Sequence, residues 1–282
     1  MARIAIVTDS TADLNANLRE RHEITVVPLN LHIGDEVFRD QIDISSDQFM
    51  ERLPTAITPP TTSQPASGLF EETFRALTAT HDAIVAVLIS SKLSGTYQSA
   101  VIARDAIGTT VPIEIIDSLN ASLSLGFQVI RAAELAKEGL DAEHIASRLR
   151  GSSGEYHLAF FVDTLEYLQR GGRIGRAAAL VGSLLQLKPI LRVDEGQVVP
   201  YERTRTRAKA LTGLESFVRG LPRIEKLGVL YTSDPASALE LVERFSDLVP
   251  PDQIIRAQMS PVISTHVGPN AVGVAVFEGE GA

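Results

Sequence analysis

The stretch Ala83-Ile84-Val85-Ala86-Val87-Leu88-Ile89-Ser90-Ser91-Lys92-Leu93-Ser94-Gly95-Thr96-Tyr97 decides the fold class. An unbroken apolar run, a small polar loop and then a helical pattern describe a strand buried on both faces that feeds a helix. The pattern recurs on both sides. Ile4–Val7 reads as a buried strand, Asp13–His22 as a helix entered through Thr11, and Ile113–Ile116 as another strand. Helices are expected over Ser122–Lys137 and Asp141–Arg150. Buried strands alternating with helices predict a parallel sheet covered on both faces. Between them, Ile24–Ile33 and Val37–Arg39 read as a hairpin turning at Gly34-Asp35. Ser45 or Ser46 caps a short helix ending at Pro54. Thr55–Pro65 reads as a loop, and a helix begins at Pro65, where a missing N–H costs nothing.

After Gly151-Ser152-Ser153-Gly154, read as a flexible linker, the rhythm changes. Strands are expected at Leu158–Val162, Pro189–Val193, Val198–Tyr201, Leu227–Tyr231, Ile254–Ala257 and Val272–Phe277. Helices fall around Leu165–Gln169, Gly175–Leu185, Thr206–Arg219 and Ala236–Leu248. The expected architecture is therefore α/β in two domains: residues 1–154 with a parallel sheet, and residues 155–282 with an α+β, mixed-sheet arrangement.

The 282 residues carry 26 Lys+Arg against 35 Asp+Glu, a net charge of −9, and 44% are hydrophobic. An acidic balance disfavours nucleic acid, whose binding relies on a positive field. It also disfavours a standing association with anionic membrane. No cysteine is present, which removes disulfides, thiolate metal sites and cysteine nucleophiles. No apolar run approaches the ~20 residues that span a bilayer, so no stable membrane insertion is expected. Met1–Val7 runs straight into a strand without a signal-peptide pattern, and a cytoplasmic location is expected.

Two hydroxyl-rich segments stand out, Thr61-Thr62-Ser63-Gln64-Pro65 and Ser90–Tyr97, both read as strand-to-helix loops. In a parallel sheet such loops form the ligand crevice, and helix N-termini there suit an anion. Plain N-capping explains the same residues. Ser94 as a nucleophile needs a base and an orienter. Only His266, in the loop-like Ser264-Thr265-His266-Val267-Gly268-Pro269, offers itself, which leaves a small serine hydrolase or phosphotransferase as the alternative reading. The six histidines stand singly without metal-ligand spacing, so no metal is expected.

Asp163-Thr164 and Arg170-Gly171-Gly172-Arg173 place two guanidinium groups around a tight turn, fit for an anion or for a contact between domains. A helix C-terminus with solvated arginines fits equally. Tyr201–Lys209 is a local basic cluster, suited to an acidic protein partner or to blunting an edge strand.

Taken in series, these segments resemble the DegV family of bacterial fatty-acid-binding proteins. The carrying residues are Asp9-Ser10-Thr11-Ala12-Asp13, Thr62-Ser63-Gln64-Pro65, Ser91–Ala100, Asp163-Thr164-Leu165, Arg170-Gly171-Gly172-Arg173-Ile174, Lys188-Pro189-Ile190, Arg203-Thr204-Arg205 and His266-Val267-Gly268-Pro269. Asn270 stands where the family usually has a second glycine, a substitution that left-handed backbone tolerates. The resemblance implies one long-chain fatty acid held between the domains. It places the carboxyl group at Thr62, Ser94 and His266, with Ser63 and Gly95 adjacent and Arg170 orienting from behind. It implies a binding subunit without cofactor that is not itself an enzyme. A separate fatty acid kinase would phosphorylate the carboxyl group for phospholipid synthesis, docking at Arg203 and Arg205. Leu158, Phe160, Phe161, Leu180, Leu184, Leu187 and Ile263 are the candidate tunnel residues, though such residues in a helix or strand pack a core far more often than they touch a ligand.

Overall fold

The computed structural model describes residues 2–181 and 188–279. Strand β1 (Ile4–Asp9) leads through a short turn and helix α1 (Ala16–Arg21) to β2 (Ile24–Val27). A small antiparallel sheet follows, from β3 (Asn30–Ile33), β4 (Glu36–Arg39) and, after helix α2 (Ser46–Arg52), β5 (Thr61–Ser63). Helix α3 (Ser67–Thr78), strand β6 (Ala83–Leu88), helix α4 (Thr96–Ile107), strand β7 (Ile113–Asp117), and helices α5 (Ser122–Lys137) and α6 (Ala142–Gly151) complete the first half. Its main sheet has the order β2-β1-β6-β7 and every pairing is parallel, as the buried runs require.

The second half runs β8 (Tyr156–Phe161), α7 (Glu166–Arg170), β9 (Lys188–Asp194), β10 (Gln197–Thr204), α8 (Arg207–Arg219), β11 (Lys226–Tyr231), α9 (Pro235–Arg244), β12 (Ile255–Gln258), α10 (Pro261–Val267) and β13 (Val272–Phe277). These strands form one sheet, β10-β9-β8-β13-β11-β12. All its pairs are antiparallel except β11 with β12, so the sheet is mixed.

Several elements depart from expectation for local reasons. Asp13 adopts a left-handed φ of 52°, so the first helix starts only at Ala16, capped by the Asn15 side chain. Ile24–Ile33 is two strands in two sheets, because Pro28 has no N–H to continue a ladder. The loop Thr55–Pro65 contains a strand, Thr61–Ser63, paired with β3. Helix α3 begins at Ser67 with Pro65 outside it. Gly151–Gly154 is ordered: Ser152 N–H donates to Arg148 O at 3.0 Å, and Glu155 N–H to Ser152 O at 2.9 Å. The helix expected over Gly175–Leu185 is a 3-10 helix across Gly175–Leu180, and its remainder reaches into residues outside those described. His266 belongs to helix α10, entered through the Ser260 cap and Pro261 at its first position.

Helix α5 lies between the two large sheets. One apolar cluster runs from Ile6 and Val85 of the parallel sheet through Leu123 and Phe127 of α5 to Leu158 and Phe160 of the mixed sheet. Phe70 and Phe74 of α3 cover the outer face of the parallel sheet. Leu214 of α8 and Leu241 of α9 cover Phe161 and Val274 on the outer face of the mixed sheet. Each such buried Phe or Leu contributes about 1.5–3 kcal/mol relative to an exposed one. Alternation within β8 decides the two faces: Leu158 and Phe160 turn toward α5, Ala159 and Phe161 away.

Candidate functional site

In the parallel sheet β1 leads outward to β2 on one side, and β6 to β7 on the other. The crevice at their carboxyl ends is where such folds hold ligands. Asp9, at the end of β1, ties it to the chain leaving β6 by accepting the Ile89 N–H at 2.8 Å. Above it lies a cavity whose inter-atomic space totals about 770 Å³, including the part open at its mouth. Its walls come from both halves: Leu29, Ile89 and Leu93 from the first, Leu158, Phe160 and Val198 from the second. The segment Met259–Val267 adds Met259, Val262, Ile263, His266 and Val267. Of the candidate tunnel residues, Leu158, Phe160 and Ile263 line it. Phe161 does not: it sits on the opposite face of β8, under the Arg207 guanidinium. Leu180 packs in the core behind. Leu184 and Leu187 lie outside the described residues.

The polar groups gather at one end. Thr62 Oγ1 and His266 Nε2 are 2.8 Å apart, and either atom can be the donor. Burial, helped by the positive charge of Arg173, pushes the His266 imidazole down to about 4, so it is neutral at physiological pH. His266 Nδ1 has no protein partner and rests against Gly171, where any Cβ would collide with it. Gly268 has φ 77° and ψ −176°, backbone only glycine adopts readily, and a Cβ there would strike the Tyr167 ring. Two glycines thus set the position of His266 in the cavity wall.

Ser94 also faces the cavity, its hydroxyl 2.9 Å from Thr96 Oγ1. Ser63 lines the cavity, but its hydroxyl contacts His32 Nε2 at 2.9 Å on the neighbouring strand. Gly95 abuts the Gln64 side chain, itself part of the cavity wall. Thr62 and Ser63 therefore stand on a strand, and only Ser94 and Gly95 on a strand-to-helix loop.

The two arginines of the Arg170–Arg173 turn separate. Arg173 turns inward and lines the cavity; its Nε donates to Leu93 O at 3.0 Å and its Nη1 to Gly171 O at 2.7 Å. Arg170 remains outside, paired with Glu166 and lying over the Tyr167 ring. It lines a second, more polar pocket that shares Thr62, Arg173 and His266 with the first and opens past Pro59 and Pro60. The apolar cavity therefore ends in a polar vestibule. Of the two guanidinium groups that the motif offered for an anion, Arg173 is the one at that junction, lining both pockets.

Ser94 and His266 share the wall, but the bonds they make are to Thr96 and Thr62, and no carboxylate stands behind the imidazole. The nucleophile–base–acid relay is not assembled. Among the described residues no cluster of three or more His, Cys, Asp or Glu side chains could hold a metal ion. No helix among them is long and apolar enough to cross a membrane. Arg203 and Arg205 are exposed, on β10 and just beyond it, and are not part of the cavity. Asn270 does adopt left-handed backbone, φ 59°, and its side chain reaches Asp163 at 3.2 Å, a contact glycine could not make.

The sequence model of the DegV family, described as an uncharacterised protein family, matches residues 3–279. Protein DegV of Bacillus subtilis is 35% identical over 277 residues, covering 96% of this chain and 98% of its own. A DegV domain-containing protein of Streptomyces coelicolor is 38% identical over 280 residues, covering 97% and 98%. A fatty-acid-binding DegV family protein from Thermus thermophilus superposes with a TM-score of 0.91 at 34% identity, covering 98% of this chain and 99% of its own. The crystal structure of the Bacillus subtilis fatty-acid-binding DegV gives 0.88 at 34% identity, covering 98% and 100%. With residues 3–279 matched by the family model and relatives at 35–38% identity over nearly the full length, the chain belongs to the DegV family.

Proposed function

We propose that this protein binds one long-chain fatty acid, with the acyl chain in the apolar cavity and the carboxyl group at its polar end. The observation that carries the reading is the joint between the two pockets: an apolar cavity closed at one end by Thr62, Ser94, His266 and Arg173. Each buried CH₂ contributes about 0.8 kcal/mol, so a long chain binds tightly without covalent chemistry. A carboxylate in the same setting needs donors and a nearby cation. The Thr62 and Ser94 hydroxyls, the neutral imidazole and the Arg173 guanidinium supply them, with Ser63, Gly95 and Gln64 shaping the wall. Arg170 acts from the vestibule.

The vestibule leaves the carboxyl end reachable from outside. We assign the chain the role of a binding subunit of the cytoplasm that presents this group to a separate fatty acid kinase. The product would be an acyl phosphate for phospholipid synthesis, with Arg203 and Arg205 as the docking surface. ATP and Mg²⁺ would belong to the kinase, and this chain would need no cofactor. The boundary between its halves is placed at 154/155, where the chain passes from the helices of the parallel sheet into β8.

Native mass spectrometry of freshly purified protein, followed by denaturing extraction, tests the binding step. One straight-chain fatty acid per protein molecule is the expected result. A protein that carries none and refuses added oleate and palmitate overturns it.

A further inference from the structure

Two buried carboxyl groups that the ligand reading does not use sit behind α10. Asp13 Oδ1 accepts the Ser260 N–H at 2.9 Å, and Asp40 Oδ1 accepts the Val262 N–H at 3.2 Å. Ser260 and Val262 are at the start of the segment that supplies Met259, Val262, Ile263, His266 and Val267 to the cavity wall. Asp13 Oδ2 also accepts the Ser122 hydroxyl at 2.5 Å. Ser122 lines the apolar cavity, whereas Asp13 borders a polar surface cleft with Gln41, Ser45, Arg256 and Gln258. That hydrogen bond joins a residue lining one space to a residue lining the other.

We propose that Asp13 and Asp40 are positioning residues for His266, seating the helix that bears it, and that their charge state sets how readily this helix lifts to release what the cavity holds. The second half of the statement rests on the fatty-acid reading; the first does not.

The electrostatics give the direction. Burial, with smaller contributions from neighbouring carboxylates, pushes both Asp13 and Asp40 up to about 7. Asp40 Oδ2 has no protein donor of ordinary geometry, which adds to the cost of charging it. The charged or titratable groups around the pair are few. Asp9 at the end of β1 is a third buried carboxyl, also raised by burial. Arg256 on β12 borders the cleft, and Asp47 on α2 is held by the Gln258 amide at 2.7 Å. His266, a turn and more along α10, is neutral and bonded to Thr62.

Lifting α10 exposes the pair to water and returns the carboxyls toward their ordinary value of 3.8. Between roughly pH 4 and 7 the closed state therefore holds more protons than the open one, and opening becomes easier as pH rises. Mild acid seats the helix; neutral and alkaline pH loosen it.

Hydrogen exchange of the full-length, ligand-free protein between pH 5.5 and 8, corrected for intrinsic rates, tests the positioning role. Amides of residues 262–267 should lose protection about tenfold or more across that range, while amides of β6 remain better protected. Asp13→Asn suits the left-handed backbone at that position, and Asp40→Asn keeps an acceptor oxygen. Each should flatten the profile of 262–267. A profile unchanged in both variants, or protection of 262–267 equal to that of β6 throughout, overturns the proposal. Release of cis-parinaric acid, followed by stopped flow, should accelerate with pH in the wild type, less steeply in Asp40→Asn, and not at all when Asp13→Asn is combined with it. Failure of the probe to bind counts against the fatty-acid reading alone. Binding with a pH-independent release rate counts against the gating by Asp13 and Asp40.

Discussion

Thr62 Oγ1 and His266 Nε2 stand 2.8 Å apart although 204 positions separate the two residues in the chain. The bond ties the edge strand β5 of the first half to helix α10 of the second. Thr62→Val keeps the shape and removes the hydroxyl, leaving both ring nitrogens of a buried imidazole without a protein partner. A loss of about 1–3 kcal/mol is expected, shared between stability and affinity. Thermal unfolding with and without a fatty acid would apportion it, and an unaltered affinity would remove Thr62 from the site.

Gly171 leaves no room for a methyl group beneath His266. Gly171→Ala should push the ring off Thr62 and cost about 1–3 kcal/mol of stability. The informative readout is the imidazole resonance of His266, which should move far more in this variant than in Gly154→Ala, where a Cβ meets open space.

Phe160 and Phe161 are neighbours in sequence and belong to different cores. Phe161→Ala should destabilise by about 3–5 kcal/mol and leave ligand preference as it is. Phe160→Ala enlarges the cavity and should shift preference toward bulkier or longer acyl chains. Competition binding with acids of increasing chain length separates the two; identical shifts would contradict the alternation of β8.

The imidazole of His266 is held down to about 4 by burial and by Arg173, against 6.5 in the unfolded chain. Between those values the unfolded protein binds the extra proton, so this group favours folding above pH 6.5 and ceases to as pH falls toward 4. A carboxylate placed beside the ring reverses part of that depression. Proton uptake on fatty acid binding at about pH 6–7, where a free carboxylic acid is already ionised, measured by calorimetry in buffers of differing ionisation enthalpy, is the expected sign. Proton release would place the carboxyl elsewhere.

Arg203 and Arg205 are exposed and remote from the cavity lining. Arg203→Glu should leave fatty acid retention intact and reduce acyl phosphate formation with a cognate kinase at least tenfold. Loss of retention would instead place this residue in the binding machinery.

Much of the framework was legible because single segments carried their own evidence. Ser122–Lys137 and Val272–Phe277 fold over the expected residues, since a long proline-free run ending before Gly139 and an unbroken apolar run leave little choice. Short elements were less legible. Thr61–Ser63 is a strand only because β3 pairs with it, and the stretch around His266, read as loop-like, is helix α10, entered through Ser260 and Pro261. At the site, Thr62, Ser94 and His266 came from the resemblance, and the structure brings them to one cavity. The resemblance gave Arg170 an orienting place behind the carboxyl site; the structure has it in the vestibule and turns Arg173 into the cavity. Which guanidinium turns in depends on the backbone at Gly172, φ 70°, which residue types do not reveal. Asp13 and Asp40 reach their partners across 247 and 222 positions, distances over which no local pattern speaks.

Helix α5 has a further consequence for how anything enters the cavity. Because its side chains fill the space between both large sheets, swinging two halves apart about residues 151–154 would have to pull α5 away from β8 and β13. A chain cut at residue 154 would be an unfinished object, with Leu123 and Phe127 turned out to water where β8 and β13 should be.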